Sequence, residues 1–121
     1  MAGGSKQNTD LPDGERFLEY TETFSATGVT DPLRYERSDE GIVVQVSGTA
    51  TSFTAIVERA TLDPAVATPN WAPADSTPIS GNASTGIVPV RYDEPVRGWW
   101  RVRVTVLTGG NLTVYVAGKP A

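Results

Sequence analysis

Side-chain catalysis needs a group that can give or take a proton near neutrality, and this sequence offers few. Of its 121 residues none is histidine and none is cysteine. That removes the commonest general base, the commonest transition-metal ligand and every thiolate reaction, and with them Ser-His-Asp and Cys-His catalysis. Carboxylates remain. Asp39-Glu40 and Asp93-Glu94 are adjacent pairs, followed by Gly41 and Pro95 in segments that read as turns. Neighbouring side chains on an extended chain point to opposite sides, which is poor geometry for the facing carboxylates of a glycosidase. Turn carboxylates with backbone oxygens can hold calcium, but no Asp-x-Asp-x-Asp-Gly loop is present, and exposed turn charges are the expectation. No catalytic residue, metal ligand or cofactor site is therefore assigned. Phosphate loops, dinucleotide fingerprints and RNA-binding aromatic motifs are also missing.

The remaining chemistry is recognition, and it rests on tryptophan and arginine. Trp100 shares one side of an extended run with Val102, Val104 and Val106 and is assigned to the core. Trp99 then faces outward with Arg101 and Arg103, while Trp71 stands in a proline-rich stretch. Two outward indoles could stack on a pyranose ring or cover the protein's own surface. The preferred expectation is a subunit interface, where tryptophan and arginine are favoured.

The run that must position these residues spans 98–118. Its apolar residues alternate with polar ones at period two, not 3.6, which indicates strands. Residues 99–107 and 111–117 are expected to form a hairpin closed by Thr108-Gly109-Gly110, with Gly110 in a left-handed bulge position. That register sets Val106 opposite Leu112, Val104 opposite Val114 and Val102 opposite Val116. A second hairpin is expected from 41–47 and 53–60. Shorter strands are expected over 16–24, 33–36 and 86–92, the last an edge or bulged strand because it carries Pro89. Between 61 and 85, Pro64, Pro69, Pro73 and Pro78 leave no room for a helix or a central strand, and Trp71-Ala72 pairs at most briefly at a sheet edge. No stretch has helical periodicity. The expectation is an all-β fold, an antiparallel β-sandwich of about seven or eight strands, immunoglobulin-like or jelly-roll.

A chain of this length makes one domain, 16–121, preceded by an extended, flexible arm over 1–15. The alternative for that arm is a segment ordered against a neighbouring subunit through Phe17, Leu18 and Tyr20. Charge is uneven: residues 1–40 hold four basic against nine acidic side chains, and 41–121 six against five. An acidic leading section argues against nucleic acid, which needs positive charge to displace phosphate counterions. The start has no apolar core of a signal peptide, and no run approaches the ~18 apolar residues of a membrane span. Synthesis in a cytoplasm and no membrane partner are expected.

In the order of its segments the chain resembles the small β-sandwich virion proteins of tailed bacteriophages that decorate or stabilise the head. The resemblance is carried by Phe24-Ser25-Ala26-Thr27-Gly28 leading to Pro32-Leu33-Arg34, and by Val44-Gln45-Val46-Ser47-Gly48-Thr49. Val57-Glu58-Arg59-Ala60 followed by Trp71 belongs to it too, as does Glu94-Pro95 leading to Arg101-Val102-Arg103-Val104 and Gly109-Gly110-Asn111-Leu112-Thr113-Val114. The stretch 61–85 departs from it, being longer than the short Asp-Gly turn expected before the tryptophan. The resemblance implies a non-enzymatic capsid decoration or cement protein located in the virion. It further implies a homo-oligomer, a trimer favoured, with the major capsid protein or other virion proteins as partner. A collar, neck or tail component, and a carbohydrate-binding or adhesion module using Trp71 and Trp99, stay open as alternatives.

Overall fold

A computed structural model of the chain describes residues 4–10, 16–35, 42–61, 65, 70–74, 78–86, 88–92 and 98–119; for 8–10, 16–17 and 88–92 it describes the backbone only. Its elements are β1 (Ser5–Asp10), β2 (Arg16–Phe24), β3 (Gly28–Val29), β4 (Leu33–Tyr35), β5 (Ile42–Gly48), β6 (Ser52–Ala60), β7 (Ala72–Pro73) and β8 (Ile79–Gly81). A 3-10 turn, Ala83–Thr85, follows, and then β9 (Val88–Tyr92), β10 (Gly98–Thr108) and β11 (Leu112–Gly118). Among the described residues no helix is long and apolar enough to cross a membrane.

The strands form two antiparallel sheets packed face to face. One has the order β1-β2-β11-β5-β9, and the other runs β3-β10-β6-β7, with β4 also on β10 and β8 also on β6. The pairs β2·β11, β3 and β4 with β10, β5·β9, and β6 with β7 and β8 nest inside one another like the rungs of one long hairpin. Rolling that ribbon over brings β5 beside β11 and β6 beside β10. This is the jelly-roll course. An immunoglobulin sandwich would instead keep several consecutive strands side by side.

Neither expected hairpin forms. β10 and β11 lie in opposite sheets, as do β5 and β6, so each pair is an arch over the core rather than a ladder. The alternation had one correct consequence: Val102, Val104, Leu112, Val114 and Val116 point inward, as do Ile42, Val44 and Val46. Period two says which side of a strand is buried. It does not say whether the next strand lies beside it or across from it. The arches nest, with the Asn111 carbonyl accepting from Thr49 N and Ala50 N, both at 3.0 Å. Gly48 (φ 136°) and Gly110 (φ 152°) sit where this approach leaves no room for a β-carbon; one on Gly48 would strike the Asn111 carbonyl oxygen.

Val106 is a second correction. A β-bulge between Val104 and Val106 inserts one unpaired residue, and the side chains beyond it change sides. Val106 is consequently 42 % exposed, whereas Leu107 packs against the core.

Inside the segment expected to be an arm, Ser5–Asp10 instead pairs antiparallel with β2 as the edge strand of its sheet. Tyr20 helps to hold it there. Its ring is fully buried, and its hydroxyl accepts from Gly4 N at 3.1 Å and Asp31 N at 3.2 Å while donating to the buried Glu22 carboxylate. Burial first, then the bond to Glu22, raises the Tyr20 pKa above its ordinary value. Tyr35, buried with its hydroxyl donating to the Leu18 carbonyl at 3.2 Å, is raised chiefly by burial. Trp100 joins this core as expected, and each such large side chain contributes about 1.5–3 kcal/mol through burial.

Candidate functional site

The outer face of the β4-β10-β6-β7 sheet gathers most of the residues that the sequence marks for recognition. On β10, Trp99, Arg101 and Arg103 alternate with the buried Trp100, Val102 and Val104, so the three project together from the sandwich. Cross-strand register supplies their neighbours. Arg101 stands opposite Glu58, Arg103 opposite Ile56 on one side and Val29 on the other, and Trp99 opposite Arg34.

Glu58 is the centre of the group. It is 5 % exposed although it lies on an outer face, because the two arginines close over it. Arg101 Nε donates to its Oε1 at 2.9 Å. Arg103 reaches both oxygens, from Nε to Oε1 at 3.2 Å and from Nη2 to Oε2 at 3.3 Å, a fork that fixes the guanidinium plane. The Arg101 guanidinium also lies 4.2 Å from the centroid of the Trp71 ring, and Arg34 lies 5.9 Å from that of Trp99. Both distances are within cation–π range. Trp71 precedes β7, whose Pro73 pairs with Glu58, so the proline-rich stretch delivers the indole to the arginine ladder.

Trp71, Trp99, Arg101 and Arg103 thus form one surface. The other candidates lie elsewhere. Tyr20 faces the protein's own core, and Leu18 is half-buried against it, because both occupy the inward side of β2. The Phe17 side chain lies outside the described residues, as do Asp39-Glu40 and Asp93-Glu94. Sequence reasoning did not single out Glu58 or Arg34. Glu58 was legible in principle: it is the only acid in β6, at a position whose parity matches Ile56 and not Val57.

This surface can bind, by placing flat aromatic and guanidinium groups on a rigid sheet. Two of its cations are tied to one anion, with side-chain exposures of 23 % for Arg101, 43 % for Arg103 and 7 % for Glu58. Arg103 therefore keeps donors toward solvent.

No protein-family model matches the chain, and no curated protein does. Among solved structures it is similar to a chain of the Glycosylation Associate Protein complex from Streptococcus agalactiae, with a TM-score of 0.41 and 8 % identity. The likeness covers 98 % of this chain and 26 % of that one, so this chain spans about a quarter of its length.

Proposed function

We propose that the protein is a non-enzymatic structural component of a tailed-bacteriophage virion, a capsid decoration or cement protein that binds the major capsid protein and stabilises the head shell as a homo-oligomer. The observation that carries the reading is the Trp71–Arg101–Glu58–Arg103 cluster. It combines the side chains that dominate protein interfaces with a sheet that holds them in place before any partner arrives. The jelly-roll course adds an analogy of fold, since viral capsid domains use it, but lectin domains and cupins do as well.

The test is to mix the purified protein with shells that lack it and to follow co-sedimentation and heat resistance. Binding that raises the rupture temperature, and that is lost on Arg103→Glu, supports the reading; shells left bare by the wild type overturn it. Binding confined to necks or tails would move the protein to that part of the particle with the same surface in use. A carbohydrate-binding module would need open ring faces on Trp71 and Trp99. Arg101 and Arg34 already cover one face of each. Glycan-array binding abolished by Trp71→Ala would reverse that judgement.

A further inference from the structure

Among the described residues two large apolar side chains are left exposed, Val29 at 37 % and Val106 at 42 %. Both stand beside Arg103. Cross-strand register sets Val29 opposite Arg103 on one side and the half-buried Ile56 opposite it on the other, and Val106 comes next past the bulge, opposite Thr54. The guanidinium therefore rises from a ring of three aliphatic side chains. The other sheet exposes no large apolar residue among those described.

The bulge is what puts Val106 there. With unbroken alternation Val106 would follow Val102 and Val104 into the core; the unpaired residue reverses its side, and Thr105 Oγ1 donates to the Thr54 carbonyl at 3.4 Å across the irregularity. Leu107 takes the inward place. At the centre of the ring, the bonds from Arg103 to Glu58 use Nε and Nη2. That leaves Nη1 and the second hydrogen of Nη2 as a fork at the far end of a guanidinium whose plane Glu58 already fixes, and such a fork matches the two oxygens of a carboxylate. At the strand positions of this face Arg34, Arg101 and Arg103 stand against one acid, Glu58, in a chain whose net charge is −4.

We propose that this part of the face binds a polypeptide segment carrying a carboxylate flanked by aliphatic side chains, with Arg103 gripping the carboxylate and Val29, Ile56 and Val106 covering it. The proposal rests on the reading of this face as the contact surface, and not on the virion as its setting. The charges are complementary, and aliphatic contact around the pair excludes water from it. A nucleic-acid phosphate is the competing anion. It satisfies the same fork, but interfaces with nucleic acid are more polar and more strongly positive than this one, and a phosphodiester backbone gives the three aliphatic side chains little to pack against.

The probes are three end-blocked synthetic peptides, Leu-Val-Glu-Val-Leu, its counterpart with glutamine for glutamate, and Ser-Ser-Glu-Ser-Ser, together with a short oligothymidylate. Two-dimensional NMR titrations of the full chain follow the Nε–Hε resonance of Arg103 and the methyl resonances of Val29 and Val106. The acidic aliphatic peptide should shift all three and saturate with a dissociation constant of about 1 mM or tighter. The glutamine and serine peptides should each bind about tenfold more weakly, the first lacking the charge and the second the aliphatic contact. Val29→Thr combined with Val106→Thr keeps the branched shapes and should also weaken the acidic peptide about tenfold, with Val106→Thr alone in reserve should the pair disturb the amide spectrum. Arg103→Gln should abolish binding while Arg101 still pairs with Glu58. An acidic peptide that leaves these resonances unmoved overturns the proposal, and so does equal binding of the glutamine or serine peptide, or undiminished binding by the threonine variants. Tighter binding of oligothymidylate would give the face to nucleic acid instead. If the peptide binds while shells stay bare, this inference stands and the capsid role falls; if shells bind and the peptide does not, the reverse holds.

Discussion

The two outer faces of the sandwich are built on the same backbone geometry and carry opposite chemistry. On the β1-β2-β11-β5-β9 sheet the outward rows read Gln7, Glu19, Ala117, Val43, then Ser5, Thr21, Tyr115, Gln45, then Thr23, Thr113, Ser47. Glu19 is the one charged residue at these positions and accepts from the Tyr115 hydroxyl at 3.1 Å, and the first row continues by register from Val43 to Arg91 on β9. On the β4-β10-β6-β7 sheet three arginines, one glutamate and the ring of Trp99 project from the strands, and Trp71 packs against them. A face meant only for water gains nothing from sinking a carboxylate beneath two guanidiniums. The first face is mostly uncharged at the positions named, and the second holds long charged and aromatic side chains in fixed positions at the cost of desolvating Glu58. The difference separates a solvated surface from a contact surface.

The largest expected effect tests which face a partner touches. Arg103→Glu should weaken shell binding by about a hundredfold or more, the loss of a central hot-spot residue, with the new charge also placed beside Glu58. Thr21→Glu, on the other face, should leave binding unchanged. Co-sedimentation titrations would read both, and equal losses would erase the contrast. Next comes Glu58→Gln. It leaves Arg101 and Arg103 facing each other without their shared anion, and should lower the unfolding free energy by about 2 kcal/mol. The figure stays below the ~3–5 kcal/mol of a fully buried pair because both guanidiniums keep contact with water. The urea midpoint would measure it, and no shift would mean that Glu58 only fills space.

Much of this contrast was legible in the chain, and the part that was not has a physical cause. Parity alone placed Trp99, Arg101 and Arg103 together and put Trp100 in the core, because a strand offers only two sides. Parity carries no information about partners, so two arches were read as hairpins. The bulge that turns Val106 outward was invisible for a related reason: one extra residue resets the phase, and Thr105 looks like any other β-branched strand residue. Arg34 and Glu58 entered the site through register across β4 and β6, which depends on long-range pairing. The polar leader was expected to fray because it has little to bury. It is held instead by backbone pairing to β2 and by the Tyr20 hydroxyl, a partner sixteen residues away from Gly4.

A smaller effect concerns Tyr115. Burial, and then the bond to Glu19, raises its pKa above the ordinary value of 10.0. An unfolded tyrosine therefore ionises before the folded one does, so the stabilisation is whole below about pH 10 and is lost as pH rises through the folded value. Tyr20 and Tyr35 act in the same direction from the core. Tyr115→Phe should cost about 1 kcal/mol near neutrality, and the variant should lose stability more slowly than the wild type in strong alkali. Denaturant midpoints on either side of pH 10 would show it, and parallel curves for the two proteins would show that the hydroxyl sees water.

The smallest expected effect is the sharpest test of the solvated face. Thr23 and Thr113 hydroxyls lie 3.0 Å apart across β2 and β11, at a position open to water. Changing both to valine removes donor and acceptor together, so nothing buried is left unpaired, and the shape of each side chain is kept. Valine has at least the strand preference of threonine. The double variant should therefore remain within about 0.5 kcal/mol of the wild type in the urea midpoint, as surface substitutions away from special features do. A loss of about 2 kcal/mol would mean that this face, too, depends on fixed polar contacts, and the reason for assigning the partner to the arginine face alone would disappear.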